Sequence, residues 1–196
     1  NFLNNGAAIN VFCRTAGVGQ MVVDAGCAGD AFAPHPRLIA RRIKSGTDDF
    51  TKGPAMSRAD CLRCLILGIE LAESAAAEGI VCLGTGEMGI ANTTAATALY
   101  CAYLGFEPEV VVGPGAGLEP EKLKRKAGVI AAGLTLHQDA VAGKDPVAVL
   151  AALLARAVPR PINSMTRAVE RFADGELATG LPLDRRDEIG VLARCF

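Results

Sequence analysis

The sequence predicts an α/β protein with a doubly wound, mainly parallel sheet, helices on both faces and a C-terminal helical segment. Short apolar runs alternate with longer stretches of helical periodicity along most of the chain. Hydrophobic residues make up 51% and aromatic residues only 5%, and aliphatic side chains suit helices packed on a buried sheet. Two of the apolar runs lead into glycine-rich turns, which are typical of strand-to-helix connections.

The length of 196 residues fits one domain, or one domain with a small appendage. A net charge of -1 argues against nucleic-acid binding. The seven Cys are scattered and odd in number, which favours reduced thiols and a cytoplasmic location over a disulfide framework. We see no secretory signal and no apolar run long enough to span a membrane. A start without Met and an abrupt end at Phe196 are what a fragment would show.

The first predicted elements are a helix over residues 7–16 and a buried strand over residues 21–23. Residues 27–56 carry Gly, Pro and polar residues, which indicates a long connection. A helix then begins at Ser57, where Asp60 completes a capping-box-like pattern, and it ends at Gly79.

The second half predicts strands over residues 80–83 and 109–112, each followed by a helix. The first of these helices is rich in Ala and reaches about Leu104, and the second covers residues 119–136. A last helix is predicted to have Asp145 as its N-cap and Pro146 as its first residue.

The two glycine-rich turns cover residues 84–94 and 113–117. Ligands of open α/β sheets bind at the carboxyl ends of strands, where glycines and helix N-termini accept a phosphate closely. The second turn is followed by four basic residues, one of which could offset the negative charge of a phosphate: Lys122, Lys124, Arg125 and Lys126. Neither turn fits a P-loop or a dinucleotide fingerprint, so glycines that serve only turn geometry remain the alternative.

Residues 86–94, GEMGIANTT, are similar to the signature GEMGIGNTT of the nicotinate-nucleotide–dimethylbenzimidazole phosphoribosyltransferase family. Residues 113–118, GPGAGL, resemble its GRGTGL, and Arg125 and Lys126 follow at the family's spacing. Further segments resemble the family in the same order from Asn1 to Leu153.

The resemblance implies transfer of phosphoribose from nicotinate mononucleotide to 5,6-dimethylbenzimidazole, giving α-ribazole 5′-phosphate and nicotinate in cobalamin biosynthesis. It implies a homodimer, and we expect no cofactor and no metal. By resemblance, Glu87 lies near the ribose. The implied substrate- and phosphate-binding residues are Gly86, Gly89, Asn92, Thr93, Gly115, Gly117 and Lys126.

The sequence departs from the family pattern at several positions. Ala91 replaces a Gly, and Pro114 and Ala116 replace an Arg and a Thr. Pro114 removes one backbone N–H donor from the second turn. Asp48 and Asp49 stand where the family has a basic residue and Asn. The family's N-terminal portion would precede Asn1, and no residue of this chain matches the family's general base.

Residues 156–196 differ in character and resemble a HAMP signalling linker. Ile162, Met165, Val169 and Phe172 form a heptad seam, and residues 187–190 resemble the start of the second HAMP helix. We therefore divide the chain into a phosphoribosyltransferase-like domain, 1–155, and a HAMP-like segment, 156–196. A plain amphipathic hairpin that docks on the core is the alternative for this segment.

Other residues carry weaker signals. Cys61 and Cys64 have metal-like spacing but lie in a predicted helix with no second ligand pair. We expect His35 in a loop and His137 at a helix end, and we expect residues 41–44 to be a solvated helix end. Three functions remain open: the family's transferase, a non-catalytic nucleotide-binding module, and a dimerising signalling linker.

Overall fold

The computed structural model describes residues 1–89 and 92–154 as an α/β fold. Its two described strands pair in parallel, with Val22 opposite Leu38, as the predicted class requires. No helix in these ranges is long and apolar enough to cross a membrane. After a 3-10 turn at Phe2–Asn4, the elements are α1 (Ala8–Ala16), β1 (Val22–Asp24), β2 (Leu38–Ala40), α2 (Arg58–Ala77), α3 (Asn92–Leu104), α4 (Pro108–Val111), α5 (Pro120–Leu136), α6 (Gln138–Ala142) and α7 (Pro146–Leu153).

The predicted helix boundaries are confirmed where a side chain caps the backbone. The Ser57 hydroxyl accepts a hydrogen bond from the Asp60 N–H at 3.0 Å, so it satisfies one of the free donors at the start of α2. The Asp145 carboxylate accepts from the N–H groups of Val147 and Ala148 at the start of α7. The predicted HAMP-like segment, residues 156–196, lies outside the described residues.

Two predicted strands are wrong. Residues 80–83 pair with no strand in the described part of the chain, and Val81 is 99% exposed. Residues 109–112 fall largely in the short helix α4, where Pro108 occupies the first position and its carbonyl accepts from the Val112 N–H at 2.9 Å. Pro at a first helical position favours a helical turn, and contacts with α3 and α5 outweigh the strand preference of three consecutive Val.

The connection predicted over residues 27–56 contains a strand, β2, that the pattern did not reveal. Residues 41–44 therefore follow a strand, and their prediction as a helix end is wrong. Arg42 donates through Nε and Nη2 to one Asp24 carboxylate oxygen, both at 3.2 Å. Because Asp24 ends β1, this partly buried ion pair holds the exits of both strands together.

The main apolar core joins the loop before α2 to α3, α5 and α7. Its members are Phe50, Ala55, Ala98, Cys101, Ile130, Val149, Ala152 and Leu153. Backbone hydrogen bonds from Ala55 to Ala152 and from Met56 to Ala151, both 3.0 Å, attach the loop to α7. Within this core α3 packs on α5 and α7, which holds the first turn of α3 against the helix that carries Lys126.

Candidate phosphate-binding site

The second glycine-rich turn and the start of α3 meet at Lys126. Its ammonium donates to the Thr93 hydroxyl at 2.7 Å and to the Gly113 carbonyl at 2.8 Å. Lys126 lies in the second turn of α5, so one side chain joins two segments that are distant in sequence. The structure thus brings together the two turns that the sequence singled out.

The turn itself needs glycine at residue 115. Gly115 has a φ of +58°, a left-handed conformation that side chains disfavour. A Cβ at this position would stand 2.7 Å from the Thr93 hydroxyl oxygen, too close for an ordinary contact. Gly117 also has a positive φ, +96°, and the Leu118 N–H donates to the Pro114 carbonyl at 2.9 Å to close the turn. The missing side chain at residue 115 keeps the space beside Lys126 and Thr93 open.

Lys126 is a cation without an acidic neighbour in the described residues. Partial burial lowers the pKa of its ammonium, because burial penalises the charged form. Lys122, one turn earlier on α5, instead forms an exposed ion pair with Glu119 at 2.7 Å. Two neutral oxygens accept two of the three hydrogen bonds that the Lys126 ammonium can donate. They leave its positive charge uncompensated, which suits an anionic ligand.

A second cluster lies in the first glycine-rich turn. The Asn92 amide donates to a carboxylate oxygen of Glu87, whose side chain is exposed. The other carboxylate oxygen would stand 2.9 Å from a Cβ on Gly89, so a side chain at residue 89 would displace it. The Glu87 carboxylate thus folds back over Gly89 towards the start of α3.

The predicted site residues therefore form two groups that meet at the first turn of α3. One group is Thr93, Gly115 and Lys126, and the other is Glu87, Gly89 and Asn92. Within the described ranges no hydrogen bond joins the two groups. Gly86 and Gly117 are close in sequence to members of these groups. Neither takes part in the hydrogen bonds or close contacts described above. The Gly113 carbonyl was not predicted, although its place at the head of the second turn was a usable signal.

The residues that carried weaker signals lie elsewhere. Cys61 and Cys64 are on α2, and burial raises the pKa of the Cys61 thiol. No cluster of three or more His, Cys, Asp or Glu side chains in the described ranges could hold a metal ion. His35 lies in a loop, as predicted. His137 ends α5, as predicted, and its Nε2 lies 2.8 Å from the Phe50 carbonyl in the core.

Comparison with known proteins gives the family. A family model described as Phosphoribosyltransferase matches residues 1–160, most of the chain. The chain therefore belongs to this phosphoribosyltransferase family. A HAMP domain model matches residues 153–196, in agreement with the resemblance of the C-terminal segment.

Curated relatives carry the name nicotinate-nucleotide–dimethylbenzimidazole phosphoribosyltransferase. The protein from Solidesulfovibrio magneticus is 59% identical over 153 residues, which are 78% of this chain and 43% of the relative. That from Geobacter sulfurreducens is 46% identical over 151 residues, which are 77% of this chain and 42% of the relative. The chain thus spans less than half the length of these relatives.

A solved structure, CobT from Thermus thermophilus, is similar in fold, with a TM-score of 0.68 and 41% identity. The match covers 78% of this chain and 45% of that one. It confirms the predicted α/β fold class over the part of the chain that carries both glycine-rich turns.

Proposed function

We propose that this chain forms the phosphoribosyl-binding part of an enzyme that transfers phosphoribose from nicotinate mononucleotide to 5,6-dimethylbenzimidazole. The products are α-ribazole 5′-phosphate and nicotinate, and the pathway is cobalamin biosynthesis. The observation that carries the proposal is the Lys126 ammonium, held beside Gly115 and Thr93 without an acidic partner in the described residues. The name carried by relatives up to 59% identical supports both substrates.

The phosphate of the nucleotide would lie in the second glycine-rich turn. Lys126 supplies the compensating charge, and backbone N–H groups around Gly115 and Gly117 supply donors. Pro114 has no N–H to contribute, so the remaining donors and the ammonium carry more of the affinity. Glu87, with Gly86 and Gly89 beside it, would accept hydrogen bonds from the ribose hydroxyls.

The reaction breaks the bond between C1′ and the nicotinate nitrogen, and its electron pair returns to that nitrogen. A benzimidazole nitrogen attacks C1′ from the opposite face, so the configuration inverts, and the other ring nitrogen loses its proton. Nicotinate leaves readily because its ring is cationic while bound to ribose. The residues described here contribute binding and alignment, which can supply several kcal/mol of the barrier reduction, roughly 7–11 in favourable cases. We assign no residue of this chain as the base that takes the proton.

We further propose a cytoplasmic homodimer with two units, residues 1–155 and 156–196. The exposed apolar side chains of α2, among them Leu65, Ile66 and Ile69, are compatible with an interface between copies. Light scattering of the purified chain measures the mass directly, and a monomeric mass at micromolar concentration would contradict this part of the proposal.

Calorimetric titration with nicotinate mononucleotide tests the binding function. We expect saturable binding by the wild-type chain and at least tenfold weaker binding by Lys126→Ala, because a charge-assisted hydrogen bond contributes about 1.5–3 kcal/mol. Lys124→Ala is the matched control, since Lys124 is an exposed lysine on the same helix. Absence of binding by a folded wild-type chain, or equal losses in both variants, would contradict the phosphate site.

Turnover distinguishes the enzyme from a non-catalytic nucleotide-binding module. Release of nicotinate that requires both substrates supports the transferase, and binding without release supports the module. The HAMP match over residues 153–196 favours a second candidate function, a dimerising signalling linker. A dimer that dissociates when residues 156–196 are removed, with nucleotide binding unchanged, is the result expected for that linker.

A further inference from the structure

We infer that Asn92 and Thr93, the first two residues of α3, are positioning residues that set the separation between the Glu87 carboxylate and the Lys126 ammonium. The inference rests on the proposed function. It changes the role of these two side chains, which resemblance alone would count among the groups that contact the nucleotide. Each of them instead contacts one ionisable group of the site.

Thr93 holds Lys126. Its hydroxyl oxygen accepts from the ammonium at 2.7 Å, and the Gly113 carbonyl accepts a second hydrogen bond at 2.8 Å. An ammonium has three hydrogens, so these two bonds fix the direction of the third. A long lysine side chain otherwise samples many rotamers, and its ordering would oppose ligand binding.

Asn92 holds Glu87 in the same manner. Its amide donates to one carboxylate oxygen, and the other oxygen lies against the bare Cα of Gly89. The amide nitrogen is a donor only, so it holds the carboxylate in a fixed position for a ribose hydroxyl to approach. Without it, the exposed Glu87 side chain would be free to turn into solvent.

The first turn of α3 is a firm support for both contacts. The buried Thr97 hydroxyl donates to the Thr93 carbonyl at 2.7 Å, and Ala95 and Ala98 are buried in the same turns. Successive residues of a helix point about 100° apart. Adjacent residues can therefore serve groups on two sides of the helix start, one from each glycine-rich turn.

Double-variant cycles on nicotinate mononucleotide binding test the inference. We expect Thr93→Val to weaken binding roughly tenfold and Thr93→Ser to restore it, because the valine keeps the shape and loses the acceptor. In a Lys126→Ala background, Thr93→Val should cost less than about twofold, since its effect passes through the ammonium. Asn92→Ala should likewise weaken binding in the wild type and have little effect in a Glu87→Ala background. Losses that add in the double variants would overturn the inference, because they would mean direct contact with the nucleotide.

A second measurement needs no nucleotide. Isotopic labelling of the lysines at Cε gives Lys126 an NMR signal, identified by its loss in Lys126→Ala, whose pH titration reports its surroundings without altering the ammonium. Thr93→Val should lower the pKa of Lys126 further, because the ammonium loses an acceptor, while Thr93→Ser should not. Thr135→Val is the control, since its hydroxyl bonds a carbonyl of α5 away from the site. An unchanged Lys126 titration in Thr93→Val would overturn the inference even if the nucleotide binds. A shifted titration with no nucleotide binding would support the positioning role and contradict only the proposed function.

Discussion

Gly133 lies directly against the ring of Phe50. A Cβ built on Gly133 would overlap Cε2 and Cδ2 of that ring. Phe50 belongs to the loop before α2, and its carbonyl oxygen lies 2.8 Å from the Nε2 of His137. The missing side chain of a helical glycine thus lets an aromatic residue enter the core beside α5.

Gly133→Ala should destabilise the protein, because the ring of Phe50 is buried and has little room to move. We expect a loss of about 1–3 kcal/mol in the free energy of unfolding, the usual cost of overpacking. Gly128→Ala is the control on the same helix, where an added Cβ meets nothing within 4 Å. It should stabilise by about 0.5–1 kcal/mol through helix propensity. Urea titration of both variants measures the difference, and equal effects would contradict the packing argument.

Asp24 should contribute more to stability than an exposed aspartate. Its carboxylate is only 4% exposed and accepts from Arg42 and from the N–H groups of Gly26 and Cys27. Asp24→Ala should cost about 1–3 kcal/mol, because it removes the acceptor shared by Arg42 and the N–H groups of Gly26 and Cys27, while Arg42 keeps the Gly29 and Asp30 carbonyls. The control is Asp48→Ala, which breaks an exposed pair with Lys44 and should cost less than about 1 kcal/mol. Similar losses in both variants would contradict this ranking.

The free energy of unfolding should also depend on pH through the Asp24 carboxyl. Burial raises the pKa of this carboxyl, but the hydrogen bonds from Cys27, Gly26 and Arg42 outweigh it, so the net pKa is lowered. A lowered pKa means that the stabilisation is present above the unfolded value, about 3.9, and is lost as the pH falls through the folded value. The stability difference between wild type and Asp24→Asn should therefore shrink below about pH 4. Denaturant midpoints of both proteins from about pH 7 to about pH 3 measure this difference. A difference that stays constant with pH would contradict a stabilising role of the ionised Asp24 carboxylate.

Nucleotide binding should weaken at high pH through Lys126. Burial lowers the pKa of its ammonium, and the neutral amine no longer attracts a phosphate. The phosphate becomes a dianion above about pH 6, so affinity should be highest between that value and the lowered pKa of Lys126. Calorimetry across this range and above it tests the profile. In Lys126→Ala the alkaline fall should be absent, and its persistence would point to another group.

Gly115→Ala should weaken nucleotide binding by crowding Thr93 as well as by straining the backbone. The control is Gly105→Ala, which has a similar φ of +70° but open space around it. Both variants should lose about 1–2 kcal/mol of stability, because both force alanine into a left-handed conformation. Only Gly115→Ala should reduce the affinity for nicotinate mononucleotide. Reduced affinity in both would mean that the effect is general destabilisation.

Local sequence signals predicted the helix starts well. Ser57 with Asp60, and Asp145 with Pro146, act through hydrogen bonds and backbone angles within one turn, so no distant contact is needed to interpret them. The pairing of β1 with β2 was harder, because β2 has three residues and too little alternation to read. At residues 109–112 the Val-rich pattern favoured a strand, and the tertiary contacts of α4 decided otherwise.

The site was predicted at the level of segments and not of contacts. Glycine-rich turns before helices indicated where a phosphate could bind, and the structure brings Lys126 to the Thr93 hydroxyl. Which acceptor each cation meets depends on how α3 packs on α5, and no periodicity or spacing encodes that packing. The Gly113 carbonyl shows the limit most clearly, because the sequence marks the turn that contains it but not the side chain that it would accept from.

The hydrogen bonds from Ala55 and Met56 to the carbonyls of α7 have a consequence for synthesis on the ribosome. These donors lie almost a hundred positions before their acceptors, so the loop at residues 47–56 cannot complete its pairing until α7 has left the exit tunnel. A nascent chain that ends before Leu153 would expose Phe50 and the apolar side of α5. A pause in translation after α5 has emerged and before α7 has emerged would therefore leave the most apolar surface exposed to chaperones.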